Sequence, residues 1–263
     1  MPARVGDNTF NNPEYRKVLE GLSGWQKRAW LDGDWDIAAG QYFTQLRREV
    51  HVLDAFDDTR AVEWFAALDY GHVHYTVCLL GCRDGDGNTF VVDEHAERLW
   101  LPQRHAAAIK AMLGRHKIGD RKLELGDLKR FVAGADVFSR QSDGTTIAAQ
   151  YAKHGINLRC ANTDRINGWA EIMQGLGDSN VELASVAGLA PDNGVRPTLF
   201  FHKRCGRLIE TLPALQHDPN RPEDVLKVDA DEEGVGGDDC ADCLRYLVAT
   251  KSRTVTQRKL RGL

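Results

Sequence analysis

Three apolar blocks follow one another between residues 61 and 94. Ala61–Tyr70, Val73–Cys82 and Thr89–Glu94 are rich in β-branched and aromatic residues, which predicts strands. Asp84-Gly-Asp-Gly-Asn88 separates the last two, and such a Gly/Asp/Asn cluster between apolar runs signals a hairpin. Short turns between successive strands imply an antiparallel meander. The period then changes. In Leu101–His116, Ala108 with Met112 and Ile109 with Leu113 recur at helical spacing. Beyond this the pattern alternates: strand over Arg130–Phe138, helix over Thr145–His154, strand over Ile156–Ala161, helix over Ile166–Leu176, a short strand at Thr198–Phe201 and helix over Gly206–Gln216. A closing helix is expected over Asp238–Thr250, behind the pair Gly236-Gly237.

Alternation of strand and helix implies parallel crossovers. An antiparallel meander followed by parallel strands is the ribonuclease H-like arrangement, so the expected class is α/β, a mixed sheet flanked by helices. Residues 1–60 read as an N-terminal linker segment, 61–250 as the folded domain and 251–263 as a basic tail. The linker segment carries a helix pattern over Pro13–Leu22 and is aromatic-rich at Trp25, Trp30, Trp35, Tyr42 and Phe43, so it is expected to pack onto something. Gly177–Arg196 lacks periodicity and reads as a long excursion or a β-hairpin.

Composition narrows the class. The 263 residues are 42% hydrophobic and 27% charged, which fits a globular protein and not a disordered one. No apolar run approaches the ~18–20 residues that span a bilayer, and the first thirty residues lack a signal-peptide pattern, so neither a membrane partner nor secretion is expected. Six scattered cysteines argue for free thiols and not a disulfide scaffold. A net charge of −4 means that any nucleic acid must be held by a local basic surface. Lys203, Arg204 and Arg207 ahead of a helix, and Lys251 and Arg253 opening the tail, are the candidates for DNA contact, against the plainer reading of solvated charge.

Candidate chemistry rests on carboxylates. Asp69 ends the first apolar strand, where a buried charge is costly unless a cation compensates it; a turn-forming role before Gly71 is the alternative. Asp136 lies near the end of the Arg130–Phe138 strand, as a second acid or as a cap for the next helix. Asp238, Asp239 and Asp242 open the closing helix, where capping needs one carboxylate and not three. Hard oxygen ligands of this kind suit Mg²⁺ or Mn²⁺. Two such ions can activate water and stabilise the leaving oxygen of a phosphodiester. Other chemistries fall away. No Gly-Lys dipeptide occurs, so there is no phosphate-binding loop of the Gly-x-x-x-x-Gly-Lys type. Cys240-x-x-Cys243 has no matching second pair and sits in an apolar helical stripe with Leu244 and Leu247, so core packing is the better reading. The nine histidines form no ligand pair at helical spacing, and no nucleophile elbow is present.

With these residues in view, the chain resembles the nuclease domain of tailed-bacteriophage terminase large subunits, the DNA-packaging motor. Glu223-Asp-Val-Leu-Lys-Val-Asp229 followed by Gly236-Gly-Asp-Asp-Cys-Ala-Asp-Cys-Leu-Arg-Tyr246 is similar to that family's closing motif, with Cys243 in place of a small alanine. Leu68-Asp-Tyr-Gly71 and Phe90-Val-Val-Asp-Glu94 resemble its first-strand acid and third-strand segment. Ala3-Arg-Val-Gly-Asp-Asn8 and Leu31-Asp-Gly-Asp-Trp-Asp36 resemble the stretch joining motor to nuclease. The resemblance implies a Mg²⁺- or Mn²⁺-dependent endonuclease that cuts concatemeric double-stranded DNA with two ions. It implies an ATPase domain or subunit, the portal and the small terminase subunit as partners, and the host cytoplasm as location. It also implies the nuclease half alone, from a split gene or a trimmed chain. Asp69 would bridge the metals, with Asp136 and Asp239 as further catalytic ligands and Asp238 and Asp242 in support. Asp143 and Glu94 compete for the second acid, because both lie near plausible strand ends. Two rival readings stand beside it: a DNA-clamping or portal-docking module with a degenerate site, and a junction-resolvase or transposase relative on the same fold.

Overall fold

A computed structural model describes residues 40–142, 144–178 and 195–250, and Lys17. In chain order its frame begins with the short helix α1 (Arg48–His51), β1 (Val52–Leu53), β2 (Glu63–Asp69), β3 (Thr76–Arg83), β4 (Thr89–Glu97) and α2 (Pro102–Leu113). A small hairpin, β5 (Lys117–Ile118) and β6 (Arg121–Lys122), precedes β7 (Leu128–Ala133). Then come α3 (Ile147–Lys153), β8 (Arg159–Cys160), α4 (Arg165–Leu176), β9 (Leu199–His202) and α5 (Gly206–Thr211). The hairpin β10 (His217–Asp218) and β11 (Arg221–Val225) and the helix α6 (Asp239–Ala249) complete the frame.

Seven strands form one sheet in the order β1-β9-β4-β3-β2-β7-β8. β2, β3 and β4 pair antiparallel, as the meander predicts. β7 joins β2 in parallel, β8 joins β7 in parallel, and β9 runs parallel to β4 and to β1. This is the ribonuclease H-like α/β arrangement expected from the sequence. No helix among the described residues is long and apolar enough to cross a membrane.

Alternation along each strand divides the core into two halves. From β2, Phe65 and Ala67 enter one apolar cluster while Trp64, Ala66 and Leu68 enter the other. Being buried on both faces, β2 reads in sequence as an unbroken apolar run. α4, α5 and α6 cover the first face with Trp169, Ile172, Leu208, Leu244 and Leu247; α2 and α3 cover the second with Ile109, Met112, Leu113 and Tyr151. The hairpin turn at 84–88 is organised by Asp84, whose carboxylate accepts from the backbone N–H groups of Asp86 and Asn88 and from Arg60. Gly87 sits at φ 87°, a conformation that favours glycine.

Several boundaries differ from the sequence reading. The strand expected from Val73 starts at Thr76, because Gly71–Tyr75 form a turn closed by the Thr76 hydroxyl donating to the Gly71 carbonyl. The strand expected over Arg130–Phe138 stops at Ala133 and continues as a 3-10 turn, Ala135–Phe138. Only Arg159 and Cys160 pair in the segment 156–161, and the helix from Gly206 gives way at Leu212-Pro213, where proline cannot donate. β1 and β10–β11 are absent from the sequence reading, being too short or too polar to show an apolar period. The described part of the linker segment is bound into the core: Tyr42 and Phe43 are fully buried and the Tyr42 N–H donates to Leu215 O. Residues 40–60 therefore belong to the same packed unit as the sheet. The Pro13–Leu22 helix pattern, Trp25, Trp30, Trp35 and most of the Gly177–Arg196 excursion lie outside the described residues.

Gly168 marks where α4 and α6 approach most closely. A Cβ there would stand 2.3 Å from Arg245 Cγ and 2.7 Å from its Cδ. Arg245 cannot swing away, since its guanidinium donates to Asp242 at 2.9 Å. Alanine at 168 gains about 1 kcal/mol of helix propensity yet forces overpacking costing about 1–3 kcal/mol. We expect Gly168→Ala to lower thermal stability, as measured by calorimetry, whereas Gly206→Ala, with open space around it, should not.

Candidate active site

The carboxyl end of the central strands is where the acids gather. β2 and β7 lie side by side in parallel with Leu68 opposite Ala133, so both strands end together and Asp69 and Asp136 leave the same edge. Gly134 makes the turn that carries Asp136 back. It lies beside Leu68 O, and a Cβ on it would meet Asp136 Oδ1 at 2.5 Å and the Tyr246 hydroxyl at 3.1 Å. Asp136 thus stands one tight turn beyond its strand and is exposed.

α6 is laid over this edge by its thiols. Cys243 Sγ donates towards Ala67 O at 3.3 Å and lies 3.5 Å from Val77 O, the residue paired with Asp69. Both Cys240 and Cys243 are buried and free, which fits core packing and gives no sign of half a zinc site. One turn before Cys243, the helix opens with Asp238 and Asp239. The loop that feeds it turns through Gly234, Gly236 and Gly237 at φ 88°, 76° and 94°.

These groups act on one another electrostatically. Burial pushes the Asp69 carboxyl well above its ordinary value, and the charges of Asp242, Asp239, Asp136 and Asp238 push it further. Asp238 is raised to about 6 by burial and by Asp242 and Asp239, with Lys227 and Arg165 opposing. Asp239 is raised chiefly by burial, while Arg207 and His74 pull it down. Tyr246 is raised by burial and by Asp69, Asp242 and Asp136. The five acids singled out in the sequence are therefore brought within electrostatic reach of one another.

Their environments differ. No hydrogen bond reaches the Asp69 or Asp136 carboxylates among the described residues, and Asp238 Oδ2 and Asp239 Oδ2 are buried without a partner. Asp242 is instead gripped by cations: Arg165 Nη1 at 3.2 Å, Arg245 Nη2 at 2.9 Å and Lys227 Nζ at 3.8 Å. Among the described residues, no group of three or more His, Cys, Asp or Glu side chains is drawn together closely enough to hold an ion alone. Carboxylate oxygens are the hard donors that Mg²⁺ or Mn²⁺ prefer, and such ions keep several waters beside one or two carboxylates. The unpartnered buried oxygens fit a cation too, because each is costly without a donor or an ion.

Other sequence candidates are placed elsewhere. Glu94 accepts from the backbone N–H groups of Arg207 and Leu208 at the start of α5, and Asp93 pairs with Arg115 and His116. Neither is free to act as the second acid. Arg207 donates to Gly234 O and Gly236 O and stacks 3.5 Å from the Tyr75 ring, so its guanidinium holds the glycine loop. Lys203 pairs with Asp54 at the exposed surface. Asp143, Lys251 and Arg253 lie outside the described residues. Arg165, which donates to Asp242, and Asp224, which holds Arg165, escaped the sequence reading; Asp224 lies within the Glu223–Asp229 stretch, but nothing in its spacing pointed to Arg165.

No family model and no curated protein matches this chain. Solved structures do. The chain is similar to the large terminase of a thermophilic bacteriophage in complex with ATP-gamma-S, with a TM-score of 0.63 and 14% identity over 94% of this chain. It is also similar to the nuclease domain of the P22 large terminase, with a TM-score of 0.56 and 15% identity, covering 82% of this chain and 97% of that domain. The fold is that of a large-terminase nuclease domain. The chain spans 54% of the length of the thermophilic phage's large terminase. Placed on this terminase nuclease fold, the acidic edge is the carboxyl end of the central strands, where open α/β sheets bind ligands.

The crowding of acids has a measurable cost. A carboxyl raised in the folded state binds protons more tightly there than in the unfolded chain. Its stabilising contribution is present below pH 3.8 and is lost as pH rises through about 6 for Asp238. Removing that charge should therefore stabilise the metal-free protein above pH 7, by about 1–3 kcal/mol. No capping hydrogen bond is lost, since the Asp238 side chain makes none, and the helix dipole's preference for a charge is ~0.3–1 kcal/mol. Melting curves in chelator should show Asp238→Asn above the parent at pH 7.5, with the difference gone at pH 3.5.

Proposed function

We propose that the chain is a divalent-metal-dependent endonuclease that cuts concatemeric double-stranded DNA during genome packaging. The observation that carries this reading is the gathering of Asp69, Asp136, Asp238 and Asp239 at one sheet edge, with Asp238 Oδ2 and Asp239 Oδ2 buried without a hydrogen-bond partner. A protein that needed these residues only for capping or turns would have given them donors.

Asp69, Asp136 and Asp239 are the residues that would hold the metal, with Asp238 beside them. Mg²⁺ or Mn²⁺ bound there would neutralise the phosphate and make water a better nucleophile at phosphorus. Asp69 is rigidly placed, since its strand is buried on both faces and paired on both sides. Asp136 is exposed and can adjust. Asp239 rides on α6, which is locked to the sheet by Cys243, so the catalytic geometry is set by packing and not by loops. The longer thermophilic phage neighbour is described with ATP-gamma-S, so an ATPase domain or subunit, in or beside this chain, belongs to the same proposal.

The test is plasmid cleavage by the full chain in Mn²⁺ and in Mg²⁺, read on gels. Asp69→Ala should slow cutting on the order of 100-fold or more while the fold persists by circular dichroism. Undiminished cutting by Asp69→Ala, or none by the parent in either metal, overturns the reading.

A further inference from the structure

Asp242 differs from the other acids in being held, by Arg165 from α4, by Arg245 within α6 and by Lys227 beyond β11. Arg165, the first residue of α4, is half-buried and lies between two carboxylates. Its Nε donates to Asp224 Oδ1 at 3.0 Å and Oδ2 at 3.1 Å, its Nη2 donates to Val225 O at 3.1 Å, and its Nη1 faces Asp242 Oδ1 at 3.2 Å and Oδ2 at 3.3 Å. Asp224, 6% exposed, is fixed in turn by the Trp169 indole N–H at 2.8 Å. The guanidinium also stands 5.2 Å from the Trp169 ring centre. Every donor edge of Arg165 is therefore occupied.

We infer that Arg165, oriented by Asp224 on β11, is a positioning residue that sets the Asp242 carboxylate at the acidic edge. The inference rests on the metal-dependent reading above. Two features separate it from ordinary stabilisation. Arg245 already supplies Asp242 with a buried charge partner through Oδ1, so Arg165 is not needed to pair the charge. Arg165 instead reaches Asp242 Oδ2 as well as Oδ1, and so orients a carboxylate that Arg245 holds through Oδ1 alone. Its orientation matters because Asp242 stands in the first turn of α6 and donates its N–H to Asp238 O, in the turn that carries Asp238 and Asp239. Outer partners that orient a ligand set commonly change metal affinity or activity by about 10- to 100-fold.

The experiment compares the parent, Arg165→Met, Arg165→Lys, Asp224→Asn and the double variant Arg165→Met/Asp224→Asn. Ile109→Val, in the opposite half of the core, is the control for stability loss alone. Mn²⁺ affinity is read by calorimetry and plasmid cutting by single-turnover rates at saturating DNA, with thermal midpoints taken alongside. The expected result is a loss of about 10- to 100-fold in Mn²⁺ affinity and in rate for Arg165→Met and for Asp224→Asn. The DNA concentration for half-saturation should stay unchanged, the double variant should be no worse than the worse single one, and Arg165→Lys should recover part of the loss. Losses that multiply in the double variant, or Mn²⁺ affinity and rates indistinguishable from Ile109→Val, overturn the positioning role while a cutting parent leaves the nuclease reading intact. A parent that binds Mn²⁺ without cutting overturns the nuclease reading, and the affinities still decide the role of Arg165. A parent that does not bind Mn²⁺ overturns both.

Discussion

Like charges held close together in a poorly solvated place are the constraint around which this molecule is built. Asp69 is surrounded by four other carboxylates, and each raises the cost of ionising it. Nothing in the local chain demands this. The arrangement persists because the sheet and the helix carrying the acids are fixed by packing far stronger than the repulsion, with β2 paired on both sides and α6 buried along nearly its whole length.

The scaffold shows how that packing is secured without filling the site. Small residues stand wherever α6 must come close. Gly81 would carry a Cβ only 2.8 Å from Phe65 and 3.0 Å from Leu247, and Gly168 admits the stem of Arg245. Thiols take the positions facing backbone carbonyls, where a bulkier side chain would lift the helix. Compensating cations are also placed selectively. Arg165, Arg245 and Lys227 converge on Asp242 and Arg207 donates to the glycine loop, so the side chains of Asp69 and Asp136 make no ion pair among the described residues. A cation at this edge would relieve repulsion that the fold sustains in its absence. Stability and chemistry pull against each other here.

Much of this was legible in the residues. The meander and the two-sided burial of β2 follow from β-branched apolar runs and a Gly/Asp turn, signals that act within ten residues. The acid positions were legible because a carboxylate ending an apolar strand, and three opening a helix, break the pattern around them. Asp136 was read as part of the strand, whereas the strand stops at Ala133 and turns at Gly134, where a side chain would meet Asp136 and Tyr246, a crowding that no local pattern displays. Glu94 and Arg207 looked available in sequence, yet the Glu94 carboxylate is taken by the Arg207 backbone and the Arg207 guanidinium by the loop ahead of α6.

The sequence by itself determined the principal strands and helices, the order of antiparallel then parallel strands and the short roster of acids, since hydrophobic period and charge placement are properties of neighbouring residues. Only the tertiary structure decided which acids stay bare and which is clasped. That choice depends on Arg165 lying 77 positions from Asp242, and on Asp224 lying 59 from Arg165. Residues so far apart meet only when α4, β11 and α6 pack over one sheet, and no spacing along the chain records such a meeting.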